Sequence, residues 1–424
     1  AAERLGASVF SAEGSGALAR WYYALQSLAR RGWVHLAVQA DRERLATLTP
    51  IAPAFVFPAV APALDGSYRL SRFAYLHRSG EDFVLESPLG FARVALHDDR
   101  AAAFVHALAQ PLDVRELGRR VFGLKAGAAA HLLGLFVSAG LAVEVGEDGT
   151  AAEDENPALQ CWEFHDLLFH SRSRVGRNDA PLGATYRHAG RLEPPPALKP
   201  AAAEAVELYR PDLDKLDRDD PPFARVLEQR CSIRNYAAEP ITDRQLGEFL
   251  FRSARVKERI EWDVETSAGP MRMQGATRPY PAGGGLYELE VYAVVAACRG
   301  VEVGLYHYDP LGHRLERMAG RNVDVDALFA DAGQSAGVKP EDLQVLLILA
   351  SRFPRLAWKY ASLAYALTLK HVGVVYQTMY LAATAMGLAP CALGGGDSDL
   401  FARATGLDYC GETSVGEFLL GSRP

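Results

Sequence analysis

Apolar positions recur at helical spacing over residues 17–30 and then alternate through Trp33, His35 and Ala37, ahead of a proline-punctuated apolar stretch at 50–62. These first 60 residues predict a partial, small α+β module of winged-helix-like type. From 68 to 77 the alternation predicts a strand, Ser79-Gly80 a turn, and 83–86 its hairpin partner. Helical periodicity follows at 100–108, 114–122 and 127–139. Gly140 stops the third helix, and 141–145 with 147–149 reads as one side of a β wing. Strands leading into three short helices and a wing predict a winged-helix-like domain over 61–190. No helix here carries the basic, polar face that groove reading of DNA requires, so peptide binding is the favoured role.

The proline triplet Pro194-Pro195-Pro196 and the acidic stretch 211–220 have linker composition, and a linker is expected at 191–220. Beyond it, 246–254 reads as a helix, 289–297 and 304–308 as strands, and 343–350 as a nearly continuous buried strand. A long helix after Trp358 is apolar on more than one face. The sum predicts an α+β domain over 221–424.

Composition narrows the function. A net charge of −7 and a pI near 5.9 remove the electrostatic footprint of a dedicated nucleic-acid binder. Five cysteines stand singly without a C-x-x-C pair or a histidine at ligand spacing, which predicts a thiol-reducing, cytoplasmic setting and no metal site. The start lacks the charged and apolar regions of a signal peptide. The apolar run 372–389 is interrupted by Gln377, Thr378 and Thr384, so a core helix is expected there and not a membrane span.

Three short patterns can carry chemistry. Arg230, Ser232 and Arg234 stand at i, i+2 and i+4, which in an extended segment puts two guanidiniums and a hydroxyl on one side. That set suits a phosphate dianion; a solvated basic strand edge fits the spacing equally well. Pro281-Ala282-Gly283-Gly284-Gly285 and, after Leu393, the run Gly394-Gly395-Gly396 let backbone approach a flat ring, although either alone is also an ordinary flexible turn. Neither has dinucleotide or P-loop spacing. Finally, Lys359 and Tyr360 follow Trp358, where the plain alternative is a helix start with aromatics inside and lysine outside.

Taken in order, the R-x-S-x-R cluster, the P-x-G-G element and "AATAMGLAPCALGG" resemble the nitroreductase superfamily. More narrowly, Trp358-Lys359-Tyr360, "LKHVGVVYQTMYLAATAMGLAPCALGGGDSDLF" and "ETSVGEFLLG" are similar to the FMN-dependent thiazoline and oxazoline oxidases of cyanobactin and streptolysin-type pathways. The resemblance spans about 221–424 and is fainter over the N-terminal half, where those enzymes carry winged-helix peptide-clamp modules. It implies a mostly antiparallel central sheet with flanking helices, a homodimer, an azoline-containing precursor peptide as substrate and a cyclodehydratase as partner. Arg230, Ser232 and Arg234 would hold the FMN phosphate and ribityl end. Pro281, Ala282, Gly283 and Gly284 on one side, and Leu393, Gly394 and Gly395 on the other, would flank the isoalloxazine ring. Gln377 would contact the flavin from the core helix and Arg423 would lie near the phosphate. Many relatives have serine where this chain has Ala282, so a side-chain hydrogen bond from that position is lost.

Lys359 and Tyr360 match the catalytic pair of that family. Azole formation removes a ring proton and a hydride, so a base must face the flavin across the substrate. Bringing a lysine from about 10.4 to about 7 or 8 costs on the order of 3 to 5 kcal/mol, which burial can impose. Two rivals share these residues: an NAD(P)H-dependent nitro- or quinone reductase, and a non-catalytic leader-peptide scaffold.

Overall fold

The computed structural model describes residues 2–56, 63, 65–202 and 204–424, with side chains from residue 7 onward. Part of the proline-punctuated stretch at 50–62 therefore lies outside the described residues. The chain forms two compact units, Ala1–Leu182 and Gly183–Pro424.

In the first unit, α1 (Ala2–Glu13) and α2 (Ser15–Arg30) precede β1 (Leu36–Ala40) and β2 (Glu43–Pro50). β3 (Ser67–Leu70), β4 (Tyr75–Ser79), β5 (Asp82–Glu86) and β6 (Ala92–Leu96) follow, then α3 (Asp99–Ala107), α4 (Val114–Arg120), α5 (Ala126–Ser138) and β7 (Ala142–Val145). Three short helices close the unit: α6 (Ala152–Glu155), α7 (Pro157–Gln160) and α8 (Phe164–Arg172). The expected helices are present. Asp98 and Asp113 cap α3 and α4 by accepting from Arg100 N and Glu116 N, at 2.8 and 2.7 Å.

Two expectations change. The first 60 residues are not a separate module, because β2 pairs with β6 in one antiparallel sheet of order β1-β2-β6-β5-β4, and Leu45 and Leu48 share a core with Phe104 and Phe136. The strand expected at 68–77 is two strands. β3 pairs with the wing strand β7, whereas β4 pairs with β5, and buried Phe73 lies in the break between them. Alternation persists across such a break, so periodicity alone does not reveal it.

The second unit begins with β8 (Gly183–Ala184) and β9 (Ala205–Glu207), then α9 (Leu213–Asp219), α10 (Phe223–Gln229) and α11 (Asp243–Ala254). A long hairpin, β10 (Glu258–Thr266) and β11 (Gly269–Thr277), precedes the central strands β12 (Leu289–Val295), β13 (Gly304–Asp309) and β14 (Arg314–Gly320). The rest comprises α12 (Val323–Ala336), β15 (Val345–Ser351), α13 (Phe353–Ala357), β16 (Tyr360–Ala361), α14 (Ala364–Ala385), β17 (Leu388–Ala392), α15 (Ser398–Thr405) and β18 (Thr413–Ser422).

A seven-stranded sheet of order β17-β18-β15-β12-β13-β14-β9 organises this unit, and all its pairings are antiparallel. Every residue of β12 and β15 is buried. Val291, Ala293, Leu347 and Leu349 face a core that includes Val375 and Met379 of α14, while Tyr292, Val294, Leu346 and Ile348 face one that includes Phe329 and Phe401. A sheet covered on both faces has no polar side to alternate with, hence the unbroken apolar run at 343–350.

The stretch expected to be a free linker is instead bound to the sheet. β9 pairs with β14 at one sheet edge, and Lys199 Nζ donates to Glu412 at 2.8 Å and to Tyr292 at 2.7 Å. Arg352 and Arg355 donate to the carbonyls of Pro196 and Pro195, at 2.9 and 2.7 Å. Proline triplets signal an extended backbone without saying whether buried arginines elsewhere will use its carbonyls. Residues 183–199 thus form a strap on the second unit.

Candidate active site

Trp358 and Lys359 cap the short helix α13, and the chain then enters β16 instead of starting a helix at once; the long helix begins at Ala364. The strap holds this corner. Trp358 Nε1 donates to Leu192 O at 2.8 Å, and the Lys359 carbonyl accepts from Thr185 N at 3.0 Å and Tyr186 N at 3.1 Å. Lys359 is buried, contrary to a lysine placed outside a helix start. Its Nζ lies 5.7 Å from the ring centre of Tyr186, 5.6 Å from Trp262 and 5.3 Å from Tyr360. Burial pushes its pKa below the ordinary lysine value, and no carboxylate pairs with it among the described residues. Burial, with a smaller contribution from Tyr186, raises the Tyr360 phenol, so that group keeps its proton at neutral pH.

The first glycine turn faces this pair. Gly284 has φ 61°, in the left-handed region, and a Cβ built on it would fall 2.5 Å from Lys359 Nζ and 2.6 Å from Tyr360 OH. The amine and the hydroxyl therefore converge on one bare backbone position, which glycine alone leaves open. Behind the turn, Gly283 N donates to His371 Nε2 at 2.8 Å, and His371 Nδ1 lies 2.8 Å from Glu288 Oε1. Since Nε2 accepts, the imidazole carries its proton on Nδ1 and donates it to this buried carboxylate. Arg355, also buried, donates to Leu286 O at the end of the turn and to Gln274 O of β11. The hairpin crosses so closely that a Cβ on Gly275 would lie 2.3 Å from Gly285 O.

A second constellation lies further along α14. Ser232 Oγ is 2.6 Å from Tyr380 OH, and the Arg230 guanidinium sits 5.1 Å from the Tyr380 ring centre. Arg234 and a Ser232 hydrogen bond both favour the thiolate of Cys391, although burial dominates and leaves that thiol raised. Ile233 N donates to Pro390 O at 2.8 Å, which pins the segment alongside β17 just before Leu393. β18 delivers Arg423 to the same edge, since Ala237 N donates to Ser422 O at 3.2 Å. Arg230, Arg234 and Arg423 have no carboxylate partner among the described residues.

A cavity of about 380 Å³ is lined by Leu393, Gly394, Gly395 and Gly396, by Tyr376 of α14, and by Ser398, Ser414 and Glu417. His371, Tyr376 and Tyr380 project from one helix, and at 1.5 Å per residue the span from the first to the last is about 14 Å.

A profile of the nitroreductase family matches residues 227–421. That stretch is a nitroreductase domain. Residues 68–179 match a second profile, that of the cyanobactin oxidase ThcOx, and the chain is accordingly an oxidoreductase of the nitroreductase superfamily, akin to the azoline oxidases. The nitroreductase-named protein MJ1384 of Methanocaldococcus jannaschii is 28% identical over 192 residues, covering 45% of this chain and 85% of that protein. The microcin B17-processing protein McbC of Escherichia coli is 31% identical over 165 residues, covering 37% of this chain and 57% of that protein. Among solved structures, the Escherichia coli McbBCD microcin synthetase complex with truncated pro-MccB17 bound aligns with a TM-score of 0.38 at 18% identity, covering 60% of this chain and 91% of that one. A nitroreductase structure from Ralstonia eutropha aligns with a TM-score of 0.39 at 19% identity, covering 58% of this chain and 98% of that one.

Within the nitroreductase domain, the sequence-derived residues fall into three groups. Arg230 and Ser232 gather at Tyr380 with Arg234 near Cys391, while the turn of Pro281, Ala282, Gly283 and Gly284 brings Gly283 to His371 and Gly284 to Lys359 and Tyr360. Leu393, Gly394 and Gly395 line the cavity. Gln377, expected to contact the flavin from the core helix, is exposed on α14. The residues missed include Trp262, which the alternation Ile260, Trp262, Val264 signals, and Tyr186, Tyr380 and His371, for which no local pattern exists. Glu417 was also missed. It is buried against Gly396, and burial followed by the nearby Asp331 pushes its carboxyl up to about 7.

Gly284→Ala tests the convergence directly. The left-handed backbone costs an alanine about 1 kcal/mol, and the new methyl must displace Lys359 Nζ and Tyr360 OH. Turnover is expected to fall on the order of 100-fold, the penalty for roughly 1 Å of misplacement, with only a small drop in the thermal midpoint. Retention of full turnover would show that the pair does not work at this turn.

Proposed function

We propose that this chain dehydrogenates thiazoline or oxazoline rings in a ribosomally made peptide to thiazoles or oxazoles, with FMN as resident cofactor and dioxygen as final acceptor. The observation that carries the reading is the convergence of a buried lysine amine, free of carboxylates among the described residues, and a tyrosine hydroxyl on the Gly284 turn. The residues fit a flavin mononucleotide. Among the described residues Arg230, Arg234 and Arg423 offer guanidiniums without carboxylate partners, Ser232 adds a hydroxyl, and the Gly394-Gly395-Gly396 backbone borders a cavity.

FMN, when bound, supplies the two-electron acceptor. Lys359, in its neutral form, takes the ring proton; Tyr360, still protonated, donates a hydrogen bond to the ring heteroatom or backbone of the substrate. The Glu288-His371-Gly283 relay fixes the turn against which the ring is pressed, and the Trp262 hairpin helps exclude water. The ring loses one proton and one hydride, so the product is lighter by two hydrogens per ring.

The first unit would serve as the peptide clamp. Its β3, which precedes the three helices α3–α5, pairs with β7, which follows them, as the wing of a winged helix would. McbC's solved complex has partner subunits and a pro-peptide, and a cyclodehydratase partner is proposed here by that likeness. A homodimer is proposed from α14, where Leu369, Gly373 and Gln377 are exposed at four-residue spacing on an otherwise apolar helix. A cytoplasmic setting accords with the singly standing, unpaired cysteines, and among the described residues no helix is long and apolar enough to cross a membrane.

Incubating the FMN-loaded protein with an azoline-bearing peptide in air should remove two hydrogens per ring, read by mass spectrometry. Steady consumption of NAD(P)H with an unchanged peptide would transfer the assignment to a nitro- or quinone reductase. A colourless protein that cannot be loaded with FMN would leave only the scaffold reading.

A further inference from the structure

Lys359 is held by residues that neither family match assigns. Tyr186 lies between the two matched stretches, 68–179 and 227–421, and reaches the site because the strap docks on the lysine's own backbone. Its φ of 51° is in the left-handed region, unusual for tyrosine, and its ring packs edge-on against Trp358 at 6.1 Å. Trp262 arrives on β10, where the Gly275 close approach seats the hairpin on the glycine turn. Tyr360 completes three aromatic rings within 6 Å of one amine.

We propose that Tyr186 and Trp262 are positioning residues that clamp the Lys359 amine over the Gly284 turn by cation–π contact, so that the strap completes the active site. The proposal rests on the azoline-oxidase reading for its catalytic consequence, though not for the clamp itself. A lysine on a flexible four-carbon stem, buried without a carboxylate, needs some other attraction to fix its direction. The negative ring faces provide one that is weak enough to let the proton come and go. Among the described residues the titratable groups facing the amine are the phenols of Tyr186, on the strap, and Tyr360, on its own strand; the hairpin offers the Trp262 indole and the turn backbone. Ring faces favour the ammonium form and so act against the desolvation that lowers its pKa.

The test uses the full-length protein. Acetic anhydride labelling of Lys359 as a function of pH, followed by mass spectrometry of its peptide, gives the amine's midpoint without any flavin chemistry. In Tyr186→Leu the midpoint is expected to move down by about half a pH unit, because cation–π support is lost while burial remains. Trp262→Leu should move it the same way, and Tyr186→Phe, which keeps the ring face, should leave it in place. In parallel, kcat for azole formation should fall about tenfold in both leucine variants, from lost orientation, and be restored by phenylalanine at 186. A more acidic amine with slower turnover distinguishes clamping from loss of fold. The clamp is refuted if the midpoint in the leucine variants stays put or rises, or if Tyr186→Phe behaves like Tyr186→Leu. If the midpoints shift as expected but the wild-type protein leaves azolines untouched, the clamp stands and the proposed reaction falls.

Discussion

Lys359→Met abolishes measurable azole formation while leaving a folded protein that still takes up flavin. A positioned general base contributes about 100- to 10,000-fold, and no second amine or carboxylate faces the Gly284 turn among the described residues to replace it. Methionine fills nearly the same volume in the ring-lined corner without a charge to desolvate, so stability should hold or improve. The sign of the pH effect follows. Burial holds the amine below its ordinary value of 10.5, so between its folded-state value and 10.5 the unfolded chain binds more protons, and stability contributed by this site rises with pH across that window. kcat/KM of the wild type should rise over the lower edge of the same window, as the base form appears. Chemical unfolding and peptide mass spectra across pH would check both, and a methionine variant with normal turnover would remove Lys359 from the reaction.

Arg355→Leu has the largest expected effect on stability. The guanidinium is buried, and desolvation, with the nearby Arg352 and Arg278, lowers its pKa to about 10. Its partners are carbonyls: Leu286 at the glycine turn, Gln274 on the hairpin and Pro195 on the strap. Burying a charge is costly, and leucine removes that cost. It also leaves three carbonyls without this donor, one on the buried Leu286 and two at part-buried contacts, each loss costing about 1 to 3 kcal/mol. The orphaned groups outweigh the relief, and a loss of about 4 kcal/mol is expected, read as a lower urea midpoint. Because the three segments that Arg355 ties together all border Lys359, turnover at temperatures below unfolding should fall as well. An unchanged urea midpoint would mean that the strap and turn hold without this residue.

How far the site could be read from the chain depends on the range of each signal. Arg230, Ser232 and Arg234 stand out because a two-residue stride is a property of the local backbone, and the structure brings Arg230 and Ser232 to Tyr380 and Arg234 near Cys391. Trp262 was legible in principle from its alternating hairpin and was passed over, since a charged outer face makes such a segment resemble a loop. An apolar helix does not announce which of its faces stays uncovered, so the exposure of Gln377 on α14 had no local signal. The strap could not be read at all. Its prolines and charges have the composition of a linker, and its partners Arg352, Arg355 and Lys359 come from a distant part of the chain.

By itself the sequence determined the helices with their caps, the buried run that became β15, the two glycine turns and the Lys-Tyr pair, because periodicity, capping and left-handed backbone are set by neighbours within a few residues. Only the tertiary structure decided that Tyr360–Ala361 pairs with Gly183–Ala184, that three rings surround one amine, and that Gly284 lies under it. Those contacts depend on sheet register and on which buried donors find which carbonyls, and neither leaves a trace in local pattern.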